Sequence, residues 1–160
     1  MSYDKDLIIA KEKARQQYDS AFHLLNVTFP LVKDPKLLMG IIYNIFSSME
    51  YSMDAILNYE KQLRLVPQHS NVFQSKFNIF RLKSVRRNNI PGRIITQMME
   101  VKELIELHKQ SPTEFQRGNR FVICTKDYRM KVISLKDIRN QLDIVKEFLD
   151  LSEKITSKFG

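Results

Sequence analysis

The residues best suited to chemistry lie in one segment of the chain, from His108 to Lys131. The segment contains two arginines around a glycine, Arg117 and Arg120, and a further arginine, Arg129. An exposed glycine between arginines lets backbone amides and guanidinium groups contact the same anion. His108 could act as general acid and base there, with Arg117 or Arg120 stabilising the transition state. The candidate catalytic residues are therefore His108, Arg117 and Arg120.

The same three residues also have a purely structural interpretation. His108 continues the apolar stripe of a predicted helix, which favours a packed histidine in that position. Arg117 and Arg120 can pair with carboxylates of the neighbouring glutamates. We expect the arginines to contribute to anion binding and His108 to packing, and we assign no catalytic residue from the sequence.

Patterns that would indicate a metal or a cofactor are missing from the sequence. The three histidines, His23, His69 and His108, are widely separated, and none has a histidine or glutamate at metal-binding spacing. No phosphate-binding loop, dinucleotide fingerprint or nucleophile elbow is present. We therefore expect no cofactor and no metal.

A second candidate site is the stretch 61–99, called the basic stretch below, which contains no aspartate or glutamate. Its 39 residues include eight lysines and arginines, whereas the other 121 residues carry 18 basic and 18 acidic side chains. The net charge of +8 therefore belongs entirely to this stretch. Such a block is typical of a polyanion-binding surface, because each neutralised phosphate releases counterions. The alternative is a solvated helix end whose cations complement the helix dipole.

These two regions supply the residues that we predict to bind a polyanion. They are Lys76, Lys83, Arg86, Arg87, Arg93, Arg117, Arg120, Arg129 and Lys131. The predicted ligand is RNA or another polyanion. A second hypothesis is a protein-interaction module or homodimer whose hairpin pairs with a partner sheet. A third is a metal-independent ribonuclease that uses the candidate catalytic residues.

The elements that must position these residues are mostly helices. Apolar residues recur every three or four positions in five segments, which predicts amphipathic helices. The first helix should end before Pro30, and Asp34 and Pro35 should start the second. The second helix should extend to about Leu65 and is the best candidate for the centre of the fold. The other three helices are predicted at about 70–88, 93–110 and 135–155.

Between the last two helices, the spacing of the apolar residues changes from every three or four positions to the alternation that is typical of strands. Two short strands, at about 120–125 and 128–134, are predicted to form a β-hairpin. Ser134 and Asp137 have the spacing of a capping box at the start of the last helix. The predicted fold is all-α, an antiparallel bundle of about five helices with a small β-hairpin before the last helix. The chain should form a single domain over residues 1–160.

Three features of the sequence indicate the cellular compartment. One cysteine cannot form an internal disulfide, which suits a reducing cytoplasm. The N-terminal residues lack the pattern of a secretory signal. The longest apolar stretch is far shorter than the roughly 20 residues that cross a bilayer. We therefore expect a cytoplasmic protein without a membrane partner.

The helix order and texture of the chain resemble the HEPN superfamily of helical domains. The resemblance lies in the long second helix, with IFSSMEYSMDAILNYE, the arginine-bearing loop, and the closing helix, with LKDIRNQLDIVKEFLDLSEKI. It implies a helical bundle, often dimeric, in an RNA-related setting. The hallmark of the superfamily is an arginine followed four to six residues later by a histidine. Because no histidine follows His108, the resemblance implies no catalytic residue here.

Overall fold

The computed structural model describes residues 2–110, 113–117, 120–124 and 130–157. Within these residues the chain forms five helices and one three-stranded antiparallel sheet. The helices are α1 (2–32), α2 (Pro35–Gln62), α3 (73–88), α4 (Gly92–Gln110) and α5 (Leu135–Thr156). The strands are β1 (Thr113–Arg117), β2 (Arg120–Cys124) and β3 (Met130–Ser134). The predicted class, a helical bundle with a small β element before the last helix, is confirmed.

Helix α1 continues beyond the point where the sequence predicts its end. A π-helical turn at Leu24–Thr28 is followed by a short α-helical stretch, Phe29–Val32, which contains Pro30. Proline is tolerated near the start of a helical stretch, where its missing N–H is not needed. The π turn interrupts the α-helical hydrogen bonds, because its own bonds reach one residue further along the chain. A new α-helical stretch therefore begins after it, with Pro30 near its start. The helix then ends at Lys33, which adopts the left-handed conformation.

Helix α2 lies at the centre of the molecule, as predicted. The other four helices pack around it, α1 along most of its length. Its fully buried side chains form the middle of the core: Ile41, Ile42, Ile45, Met49, Met53 and Ile56. Removing this much apolar surface from water is the main stabilising contribution to such a bundle.

Side-chain caps fix where two of the helices begin. Asp34 accepts a hydrogen bond from the backbone N–H of Lys36 at 2.9 Å, at the start of α2. Ser134 and Asp137 form a reciprocal capping box at the start of α5, with distances of 2.9 and 3.1 Å. Both caps were predicted, because each satisfies backbone donors that a helix leaves free at its first turn.

The sheet has one more strand than the sequence predicts. Strands β2 and β3 correspond to the expected hairpin, and β1 pairs with β2 on its other side. The strand β1 has the sequence TEFQR, whose mostly polar residues give no β-rich run to recognise. Phe121, Ile123 and Ile133 belong to the common core, so the sheet is held by the helices.

The burial of α3 against the bundle can be tested with Phe80→Ala. The Phe80 side chain is 0% exposed, and its ring lies 5.9 Å from that of Phe148 in α5. We expect the free energy of unfolding to fall by about 3–5 kcal/mol, because a large cavity replaces the ring. The matched control is Leu82→Ala in the same helix, since Leu82 is 70% exposed and its loss should cost under about 0.5 kcal/mol. Equal losses in urea denaturation would contradict this placement of α3.

Candidate polyanion-binding surface

The basic residues of α3 are divided between two sides of the helix. Lys76 is buried against α2, and Arg87, whose side chain is 32% exposed, also pairs with a carboxylate of α2. Arg81, Lys83 and Arg86 are exposed to solvent. The two groups therefore have different roles, although they alternate along the sequence.

Lys76 is a structural residue. Only 6% of it is exposed, and its ammonium group lies 2.9 Å from Glu50 and 2.9 Å from Asp54, both in α2. A charge in such a position requires partners of opposite charge, because it has lost most of its hydration. We therefore remove Lys76 from the predicted polyanion-binding residues.

The pKa values around Lys76 show how one ammonium group is shared by two carboxylates. Burial alone would lower the pKa of Lys76, but the hydrogen bond with Glu50 and the charge of Asp54 outweigh burial and raise the pKa. Burial also raises the pKa of Asp54, and the attraction of Lys76 offsets only part of that effect. The ionised form of Asp54 is therefore less favourable in the folded protein than in water.

Arg87 has a structural role beside a second buried carboxylate. Glu60 of α2 is only 1% exposed, and it accepts hydrogen bonds from Arg87 Nη1 at 2.8 Å, Asn88 Nδ2 at 3.1 Å and the Ser84 hydroxyl. Arg87 also donates to the carbonyl oxygen of Leu65 at 3.0 Å. These bonds satisfy a carboxylate that water does not reach. Arg87 is therefore also removed from the predicted site.

Arg93 is paired at the surface. Its guanidinium group forms two hydrogen bonds with the carboxylate of Glu147, one of them 2.8 Å long, and so connects the start of α4 to α5. Both side chains are substantially exposed, so solvent weakens the pair. Arg93 remains accessible to an anion, but that anion would compete with Glu147.

The remaining cations of α3 lie on its solvent-exposed side, called the outer face of α3 below. Its residues are all exposed: Gln74, Asn78, Arg81, Leu82, Lys83 and Arg86. Within the part of the chain that the structure describes, Arg81, Lys83 and Arg86 form no ion pair with a carboxylate. The Arg81 guanidinium lies 5.6 Å from the centre of the Phe77 ring, a cation–π contact that restrains its position.

A π-helical turn and a hollow mark the middle of this outer face. The turn covers Phe80–Ser84, and such turns occur frequently at functional sites. The hollow has a volume of about 470 Å³ and is lined by Asn78, Arg81, Leu82 and Arg86. Two arginines, an amide and an apolar side chain therefore border one concave surface.

Three of these residues, Asn78, Arg81 and Leu82, were not among the predicted site residues. The signal that could have identified them is their position relative to the apolar stripe of α3. Phe77 and Phe80 mark the buried side, and residues one or two positions further along a helix turn away from it. The helical spacing also identifies Lys76 as inward-facing, because it lies three residues after Phe73 and four before Phe80.

The loop and sheet residues are only partly described. Arg120 is exposed at the start of β2, where the register places Arg117 opposite it. The Arg117 side chain and the whole of Arg129 lie outside the described residues. Lys131 is exposed on β3 and lines a groove of about 350 Å³ together with Glu100 and Asp137 of the neighbouring helices. That groove contains two carboxylates, so it is less suited to an anion than the outer face of α3.

His108 has a packing contact in the last turn of α4. The side chain is half-buried, and its ring lies edge-on to Tyr43 of α2, with 6.0 Å between ring centres. This contact agrees with the structural interpretation of His108. Because the Arg117 side chain lies outside the described residues, an assembly of His108 with the two arginines stays a prediction.

Among the described residues, no three histidine, cysteine, aspartate or glutamate side chains converge as a metal ion would require. No helix in the described part of the chain is long and apolar enough to cross a membrane. Comparisons with protein-family models, with curated proteins and with solved structures find no match for this chain.

The role of Glu60 can be tested with Glu60→Ala. This change leaves Arg87, Ser84 and Asn88 without their shared acceptor, so we expect the free energy of unfolding to fall by about 3–5 kcal/mol. The matched control is Glu147→Ala, which removes the surface partner of Arg93 and should cost at most about 1 kcal/mol. Urea denaturation measures both changes. A similar small loss in both variants would contradict the structural role of Glu60.

The raised pKa of Asp54 predicts a pH dependence. Stability that arises from a raised carboxyl pKa is fully present below the unfolded pKa of about 3.9 and is lost as pH rises through the folded pKa. Asp54→Asn removes this titration. We therefore expect the variant to gain stability relative to the wild type as pH rises from about 3.5 to 7 in urea denaturation. A change in the opposite direction would show that Lys76 favours the ionised carboxylate more than burial opposes it.

Proposed function

We propose that this protein binds RNA or another polyanion through the outer face of α3. The observation that carries the proposal is the separation of charges across α3. Carboxylates of α2 pair with Lys76 and Arg87, whereas Arg81, Lys83 and Arg86 are exposed and, among the described residues, form no ion pair. An anion that approaches this face meets three cations that no described carboxylate neutralises.

Binding would combine counterion release with directed hydrogen bonds. Each cation that contacts a phosphate displaces condensed counterions, so affinity should depend steeply on salt. The two arginines can each form paired hydrogen bonds with a phosphate, which lysine cannot. Because the Phe77 ring restrains Arg81, less side-chain freedom is lost on binding.

The resemblance to the HEPN superfamily also favours RNA within this proposal. It rests on helix order and sequence texture, and membership of that superfamily stays a prediction. The missing arginine–histidine pair argues for binding without cleavage. Under this proposal RNA should stay intact when incubated with the protein.

A second candidate function is protein interaction through the edge of the sheet. Among the described strands, β3 pairs with β2 and lies at the edge of the sheet, in the order β1-β2-β3. Two apolar side chains on β3 are exposed, Met130 at 65% and Val132 at 44%. An open strand edge with apolar side chains is suited to pairing with another chain.

The proposed function is tested by changing Arg81, Lys83 and Arg86 together to Gln. Affinity for a labelled single-stranded RNA is measured by fluorescence anisotropy across a range of salt concentrations. If all three residues contact phosphates, the slope of log affinity against log salt should flatten by about 2, at about 0.7 for each contact. Stability should change little, because the three residues are exposed.

The control changes Lys36, Lys136 and Arg139 to Gln, which removes the same charge from exposed positions elsewhere. This variant should keep most of the affinity and the slope. Equal losses in both variants would mean that net charge alone attracts RNA. Absence of RNA, DNA and heparin binding by the wild type would reject the proposed function and favour the edge of β3.

A further inference from the structure

The hollow on the outer face of α3 offers more than phosphate contacts. Its volume of about 470 Å³ falls within the roughly 300–1,000 Å³ that is common for small-ligand sites. Arg81 and Arg86 supply cations, Asn78 supplies an amide, and Leu82 supplies an apolar surface. A ligand that uses all of them must combine negative charge, a polar edge and an apolar face.

The amide of Asn78 is oriented by its neighbour. Gln74 Nε2 donates a hydrogen bond to Asn78 Oδ1 at 2.9 Å. This bond occupies the acceptor side of the Asn78 amide, while the NH₂ group keeps its donors for a ligand. Asn78 is therefore suited to a ligand that presents an acceptor, such as a carbonyl oxygen on the edge of a nucleobase.

Leu82 and the arginines can contact a flat ring. Leu82 is 70% exposed, although it lies in the middle of a helix that has a buried side available. The guanidinium planes of Arg81 and Arg86 can stack on a base as well as bind phosphate. The π turn takes in one more residue than an α-helical turn, so positions 78, 82 and 86 come closer to one line along the helix.

We infer that the hollow binds one unstacked base of a single-stranded polynucleotide, with the adjoining phosphates on Arg81 and Arg86. This inference rests on the proposed function and names its ligand class more closely. In a duplex the base faces are stacked and hidden, whereas a single strand can present one face to Leu82. The base edge then accepts a hydrogen bond from Asn78.

The test compares two chains with the same number of phosphates, an oligouridine and an abasic RNA of equal length. The wild type should bind the oligouridine about fivefold more tightly or better, because the base adds contacts that the abasic chain lacks. Asn78→Ala and Leu82→Ala should each remove most of this preference while leaving the salt slope unchanged. Ser75→Ala, an exposed position of α3 outside the hollow, should keep the preference.

The outcomes separate this inference from the proposed function. Equal affinity for the oligouridine and the abasic chain would overturn the base site and leave polyanion binding in place. No binding of either chain would overturn both. An oligodeoxyuridine and its abasic DNA counterpart are measured in parallel, and the pair with the larger preference for the base identifies RNA or DNA as the source.

Discussion

The buried carboxylate of Glu60 is the constraint from which the basic surface follows. It lies at the end of α2 that faces α3, and a charge without water must be satisfied by protein groups. Ser84, Arg87 and Asn88 meet that requirement from one turn of α3. Because three donors from one helix converge on one acceptor, α3 is fixed both along its axis and about it.

The ion pairs of Lys76 reinforce the same arrangement near the other end of α3. Glu50 and Asp54 hold Lys76 near the start of α3, and Glu60 holds Arg87 near its end. The π turn at Phe80–Ser84 lies between these two points, so the extra residue cannot be absorbed by rotating either end of the helix. The outer face is therefore presented in a fixed orientation, which lowers the entropy that a ligand must overcome.

The starts of α2 and α5 and the centre of the bundle could be predicted from the sequence because they depend on neighbouring residues. Asp34 and Ser134 act on the first turn that follows them, and the apolar stripe of α2 repeats within one helix. The division of the basic stretch could not be read from charge alone. Three carboxylates that pair with its cations, Glu50, Asp54 and Glu60, come before residue 61 in the sequence. The net charge of residues 61–99 therefore includes these cations but not the carboxylates that pair with them. Strand β1 was not predicted, because its own residues show no strand pattern and it forms by pairing with β2.

Under the proposed function, the separation of charge across α3 would also couple folding to binding. The outer face carries three like charges within six residues, on Arg81, Lys83 and Arg86. Their mutual repulsion in the free protein lowers the stability of α3. The ion pairs of Lys76 and Arg87 with α2 offset that repulsion and hold α3 without neutralising Arg81, Lys83 and Arg86. A bound polyanion removes the repulsion only in the folded state, where the cations are held together. If the proposed polyanion binds there, the same three side chains would weaken the free protein slightly and stabilise the complex, by an amount that grows with the logarithm of the ligand concentration relative to its dissociation constant.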